Sequence, residues 1–208
     1  MRILFFGDSI TDAGRNYQEI GTEASYGRGY VKYAVEQLKE LGDYEIINRG
    51  ISGNRVVDLY ARIKGDCWNL KPDVLSILIG VNDVWHEIVC QNGVEIDRFE
   101  KVYRMLIEDT KKKLPDTTII LCEPFVLEGL ATEGAFEEFK EVYAYASLVK
   151  KLAEEYGLHF LPLQEKLTES AEAEEASVYL SDGVHPAEKG AKLIADEWVK
   201  LFVEKIKK

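Results

Sequence analysis

Residues 3–11 read Ile3-Leu4-Phe5-Phe6-Gly7-Asp8-Ser9-Ile10-Thr11: four apolar residues in a row, then a turn-forming Gly-Asp-Ser. A half-buried strand alternates apolar and polar residues, whereas an unbroken apolar run fits a strand covered on both faces. The pattern returns at 44–48, 74–79, 118–122 and 159–161. Between these runs, apolar residues recur at helical spacing over 29–41, 56–70, 96–114, 136–156 and 187–206, with Gly42, Pro115 and Gly157 as stops. Strands alternating with helices predict an α/β fold: a parallel five-stranded sheet with helices on both faces. Right-handed crossovers make it doubly wound, with a flavodoxin-like order. No Pro/Gly/Ser-rich linker or internal repeat divides the chain, so residues 1–208 are expected to form a single domain.

The composition narrows the function. With 46% hydrophobic and 30% charged residues the chain reads as globular, which excludes a disordered tail, a collagen-like repeat and a disulfide-stapled miniprotein. A net charge of −11 repels phosphate backbones and argues against nucleic acid as a partner, while leaving neutral sugars and esters open. Cys67, Cys90 and Cys122 are scattered and odd in number, and read as reduced thiols. The apolar run before Gly7 is too short for a signal peptide or a membrane span, so a soluble cytoplasmic protein without membrane partners is expected. Eleven tyrosines, eight phenylalanines and three tryptophans exceed what a core of this size needs, which predicts a homo-oligomer with aromatic residues at its interfaces.

In doubly wound folds, sites lie beyond the carboxyl ends of the strands. Strand one ends in Gly7-Asp8-Ser9, strand two in Asn48–Asn54, and strand three in Gly80-Val81-Asn82-Asp83-Val84-Trp85. Near the C-terminus, Ser181-Asp182-Gly183-Val184-His185-Pro186 precedes the last helix. Taken singly, Ser9 reads as a helix-capping turn serine, His185 as a surface histidine, and Gly53-Asn54 as a turn. Asp8 and Asp83 read either as general acids or as turn caps, and Trp85 as a sugar-stacking face or a core tryptophan.

Together these four segments resemble the SGNH, or GDSL-type, hydrolase family, whose blocks occur here in the family's order. The resemblance implies a serine esterase that uses no cofactor or metal. Ser9 would be the nucleophile, His185 its general base, and Asp182 the carboxylate that orients the imidazole. The oxyanion hole would consist of the Ser9 and Gly53 N–H groups and the Asn82 side chain. Asp8, Asn54 and Trp85 are the candidate substrate contacts. Sequence alone does not place Asp12, Arg15, Arg28, Arg55 or His86 relative to the pocket.

Beyond the blocks, GDSITDAGR (7–15), GYV (29–31), NRGISGN (48–54) with VVDL and AR following, KPDVLSILIGVNDVW (71–85) and DGVHP (182–186) look like the intracellular acetylxylan esterases of bacteria. That implies a small acetylated sugar, or another short-chain ester, as substrate. A lysophospholipase or thioesterase of the same family, and a catalytically silent sugar-binding module, are the alternatives. Other chemistries lack their motifs. There is no G-x-S-x-G and no phosphate-binding G-x-x-x-x-G-K-[ST], and Gly27-x-Gly29 lacks a third glycine. His86-Glu87-Ile88-Val89-Cys90 departs from the zinc motif H-E-x-x-H at its last position.

Overall fold

A computed structural model describes residues 1–207. Strands β1 (Arg2–Gly7), β2 (Glu45–Gly50), β3 (Val74–Leu78), β4 (Thr118–Cys122) and β5 (His159–Leu161) form one sheet in the order β2-β1-β3-β4-β5. Every pairing is parallel, as the apolar runs predict. Leu4 stands between Ile47 and Leu75, and Gly7 between Gly50 and Leu78. The chain runs outward from β1 to β2, then crosses back to β3, so the direction of winding reverses beside β1. That switch point is where a doubly wound sheet opens a crevice.

Helices α2 (Tyr30–Leu41) and α9 (Glu188–Lys205) pack together on one face of the sheet. On the other lie α3 (Val56–Asp66), α5 (Ile96–Lys113) and α7 (Val142–Tyr156). Ile3, Leu4, Phe5 and Phe6 are all fully buried between the layers, each worth about 1.5–3 kcal/mol of apolar burial. Phe5 packs against Tyr30 of α2 and Trp198 of α9. The buried Trp198 indole N–H donates to Ser76 Oγ at 2.9 Å, so the one polar atom of that ring is satisfied inside the core.

Four elements depart from the sequence reading. The helix expected over 56–70 stops at Asp66 and is followed by a 3₁₀ turn at Trp68–Leu70. The expected 136–156 helix breaks into α6 (Phe136–Phe139) and α7. Helix α4 (Val81–Cys90) occupies a segment read as a strand end and turn, and α8 (Gln164–Ala173) lies outside the five expected helical stretches. In α8 only Leu167 is buried, so the sequence carries little apolar periodicity there.

Candidate active site

Ser9 opens the short helix α1 (Ser9–Asp12) directly after β1. Asp8 caps that helix: its Oδ1 accepts the Ile10 N–H at 2.9 Å. Gly50, at the end of β2, lets α1 lie against the neighbouring strand, because a Cβ there would stand 2.1 Å from the Asp12 nitrogen. Ser9 is thereby held at the switch point and left partly exposed.

The other half of the site comes from a turn more than 170 residues away in sequence. Ser9 Oγ lies 3.0 Å from His185 Nε2, and His185 Nδ1 lies 2.7 Å from Asp182 Oδ2. The second carboxylate oxygen, Oδ1, accepts the N–H groups of Val184 at 3.0 Å and His185 at 2.8 Å. Burial works to raise the Asp182 pKa. Hydrogen bonds from the His185 N–H, the His185 ring and the Val184 N–H outweigh it and hold the group below the usual carboxylate range. The turn is braced from outside, since Asp182 O accepts the Ala131 N–H and Gly183 O accepts the Leu127 N–H. The imidazole is 38% exposed, so the Ser9–His185 edge faces solvent.

Gly53 sits in a turn between β2 and α3 with φ +81°, a left-handed conformation that favours glycine. Asn82, in the first turn of α4, donates its Nδ2 to the Asn54 carbonyl at 3.0 Å. The two remaining sequence-named segments thus meet beside Ser9 through this bond. His86 also reaches this turn, its Cε1 lying 3.9 Å from where a Gly53 Cβ would stand. Partial burial, and then the nearby Arg55 charge, lower its pKa.

One candidate substrate contact needs correction. Asp8 is fully buried, so its carboxylate faces the protein interior and caps α1 instead of meeting a ligand. Asn54 has its side-chain oxygen taken by Arg62 Nε at 2.7 Å. Trp85, the third, is half-buried with its ring centroid 5.7 Å from the His185 ring and 5.8 Å from Phe139. Arg15 is buried with Nε on the Gly50 carbonyl, Arg55 pairs with Asp58 and reaches Asn92, and Arg28 is exposed over Gly14. Within α4, Cys90 Sγ contacts the His86 carbonyl and Glu87 accepts the Gly93 N–H. Among the described residues no group of three or more His, Cys, Asp or Glu is placed to hold a metal.

Sequence reading gave no role to Arg62 or Asp12, both of which bind the turn around Gly53. Asp12 Oδ2 accepts the Ser52 N–H and Oγ–H and the Tyr17 hydroxyl. The i, i+4 pairing of Arg62 with Asp66 on one helix was visible in the sequence. Their meeting with the turn was not.

A hydroxyl, an imidazole and a carboxylate in hydrogen-bonded series, at the switch point of a doubly wound sheet, define the serine-hydrolase class of site. Residues 5–193 match the GDSL-like Lipase/Acylhydrolase family, and the chain belongs to that family of serine ester hydrolases. It is 36% identical to an acetylxylan esterase of Geobacillus stearothermophilus over 203 residues, covering 93% of this chain and 90% of that protein. The crystal structure of that organism's acetylxylan esterase superimposes with a TM-score of 0.84 at 35% identity, covering 96% of this chain and 92% of the other. A Parabacteroides merdae protein of the GDSL-like lipase type gives a TM-score of 0.88 at 39% identity, covering 98% and 96%.

Proposed function

We propose that this chain is a serine esterase that removes acetyl groups from small acetylated carbohydrates of the xylo-oligosaccharide type. The observation that carries the reading is the continuous Ser9–His185–Asp182 series. Structures of the Geobacillus esterase include catalytic mutants at a serine, an aspartate and a histidine, the last two three positions apart, as Asp182 and His185 are. This supports the same roles here.

In the first half-reaction Ser9 Oγ attacks the acetyl carbonyl carbon while His185 Nε2 takes the hydroxyl proton. Asp182 stabilises the imidazolium and fixes which ring nitrogen carries the second proton. The carbonyl π pair moves onto oxygen, and the resulting oxyanion is received by the Ser9 N–H, the Gly53 N–H and the Asn82 amide. One Asn82 N–H is spent on the Asn54 carbonyl, which aims the other at the substrate. Collapse breaks the ester C–O bond, His185 gives its proton to the departing sugar oxygen, and acetyl-Ser9 remains. Water, deprotonated by His185, then attacks the acyl carbon, and acetate leaves as Ser9 regains the proton.

Trp85 beside His185 supports a sugar substrate, because an indole edge next to the scissile bond offers an apolar wall to a pyranose ring. The free, exposed thiol of Cys90 supports a reducing, cytoplasmic location. Exposed Tyr17, Ile20, Val89 and Leu130 support a homo-oligomer. The test is a panel of acetylated xylo-oligosaccharides and p-nitrophenyl esters of rising chain length, run with the wild type and Ser9→Ala. We expect kcat/KM to fall steeply from acetate to butyrate to octanoate, each misfit methylene costing ~1–3 kcal/mol, and Ser9→Ala to fall to background. A preference for octanoate, or indifference to sugar acetates, would move the assignment to a lysophospholipase or thioesterase.

A further inference from the structure

Arg62 lies on α3, beneath the active-site turn, and its side chain is only 16% exposed. A buried guanidinium is costly unless its donors are used, and here three separate groups use them. Nε donates to Asn54 Oδ1 at 2.7 Å, Nη2 to the Gly7 carbonyl at 3.1 Å, and Nη1 to Asp66 Oδ2 at 2.8 Å. The planar group also lies 4.4 Å from the centre of the Phe6 ring, which fixes its tilt.

Two of those three contacts lead to proposed oxyanion donors. Gly7 O is the last carbonyl of β1, two residues before Ser9, and it also accepts the Ile51 N–H at 3.0 Å. It therefore joins the nucleophile's strand to the start of the Gly53 turn. Asn54 follows Gly53 directly, and its own carbonyl is the acceptor that orients Asn82. On the opposite shoulder of the turn, Asp12 holds Ser52 by its N–H and its hydroxyl. Gly53 itself, at positive φ and outside any helix or strand, sits between these anchored neighbours in a turn closed by the Asn54 N–H on the Ile51 carbonyl at 3.2 Å.

We propose that Arg62 is a positioning residue for the oxyanion hole: one guanidinium ties the β1 terminus to the Gly53–Asn54 turn and, through the Asn54 carbonyl, sets the aim of Asn82. The inference rests on the esterase reading above and deepens it. Arg62 touches no reacting atom. Its effect is on the placement of the Gly53 N–H and the Asn82 amide, where a displacement of about 1 Å is enough to lose on the order of 100-fold in rate. Lysine cannot replace it, because a single ammonium does not span two acceptors and a carboxylate in one plane.

The test measures kcat and KM on p-nitrophenyl acetate for wild type, Arg62→Ala, Arg62→Lys, Asn54→Ala and Asn82→Ala, and for the double variants Arg62→Ala/Asn82→Ala and Asn54→Ala/Asn82→Ala. Circular dichroism and fluorophosphonate labelling of Ser9 run alongside. For Arg62→Ala we expect a loss in kcat of about 30–100-fold with KM within about threefold, and no rescue by Arg62→Lys. In the Asn82→Ala background the same change should cost less than about tenfold, since the aimed amide is already gone and only the Gly53 N–H is left to misplace. Asn54→Ala removes one contact and leaves Arg62 on Gly7 and Asp66. It should lose about tenfold in kcat, with the same dependence on Asn82, and it decides the matter if Arg62→Ala does not fold. Multiplicative losses in the double variants, rescue by lysine, or an unchanged kcat in Asn54→Ala would overturn the proposal. An active, labelled wild type with unaffected variants refutes this inference alone. A wild type that neither labels nor hydrolyses any ester removes the esterase reading and this inference with it.

Discussion

Replacing Asp8 by asparagine should make the protein more stable at pH 8 and leave it unchanged, apart from a constant offset, at pH 4. Asp8 is fully buried, and among the described residues only one of its carboxylate oxygens has a hydrogen-bond partner, the Ile10 N–H, with none for Oδ2. Burial therefore pushes its pKa from 3.8 up to about 7, against smaller opposing pulls from the Ile10 N–H and His185. In the unfolded chain the group ionises near its ordinary value. Between about pH 4 and pH 7 the folded protein thus keeps a proton that the unfolded chain has lost. Stability must fall as pH rises through that window and level off above it. At 1.36 kcal/mol per tenfold in proton affinity, the gap from 3.8 to about 7 amounts to about 4 kcal/mol.

Asp8→Asn keeps the Oδ1 acceptor for Ile10 and has no proton to lose. Urea unfolding of both proteins at pH 4, 5, 6, 7 and 8 gives the difference in ΔG at each pH. Titrating groups without a charge interaction with Asp8 are common to the two chains and cancel, as does any pH-independent cost of the new amide; the buried Asp83, which the Asp8 charge helps to raise, does not cancel in full. The difference should grow by about 4 kcal/mol in favour of asparagine between pH 4 and pH 8. A difference flat to within about 1 kcal/mol would show that Asp8 ionises in the folded protein as readily as in the unfolded chain, and the argument from burial would be wrong.

Two further changes probe the chemistry. Asn82→Ala should lower kcat by ~10²–10³ with a smaller effect on KM, as loss of a transition-state donor does; steady-state kinetics showing a rise in KM alone would remove Asn82 from the oxyanion hole. Trp85→Ala should reduce kcat/KM on acetylated xylo-oligosaccharides by at least about tenfold more than on p-nitrophenyl acetate, on the order of one aromatic contact. Equal losses on both substrates would instead assign Trp85 to holding the His185 ring.

The ends of the first three strands were legible because their apolar runs stop at Gly7-Asp8, Asn48 and Gly80, and a parallel sheet aligns those stops at one edge. Ser9, Gly53 and Asn82 follow those stops, whereas His185 lies before the last helix, and the expected roles of all four came from the resemblance to the GDSL-type family. Helix α4 was not legible as a helix, although Val81, Val84, Trp85 and Ile88 follow helical spacing. The polar Asn82-Asp83 pair at its start reads as a turn when the segment is seen as a strand end. Of the readings given to Asp8, the turn cap agrees with its bond to Ile10, and the substrate contact fails for a related reason. Position beside the nucleophile suggests contact with substrate, but β1 carries the residue below the surface before the chain turns outward at Ser9. Arg62 stayed silent because its meaning lies in three acceptors on three different segments, and no pattern within α3 records where those segments end.

The buried acids beside the site bear on why its donors are neutral. Asp83, in α4, accepts the Val56 N–H at the start of α3 at 3.0 Å, and burial pushes its pKa well above the ordinary carboxylate value. Asp8 lies on the other side of Ser9 with its pKa near 7. An ionised carboxylate at either place would oppose the negative charge that develops on the substrate oxygen, and in a poorly hydrated setting that opposition acts at full strength. A carboxylic acid that keeps its proton serves as a helix-capping acceptor without placing that charge there. The stability lost between about pH 4 and pH 7, where the folded protein keeps the Asp8 proton, and the absence of that carboxylate's charge below neutral pH thus have one cause, the burial of the end of β1.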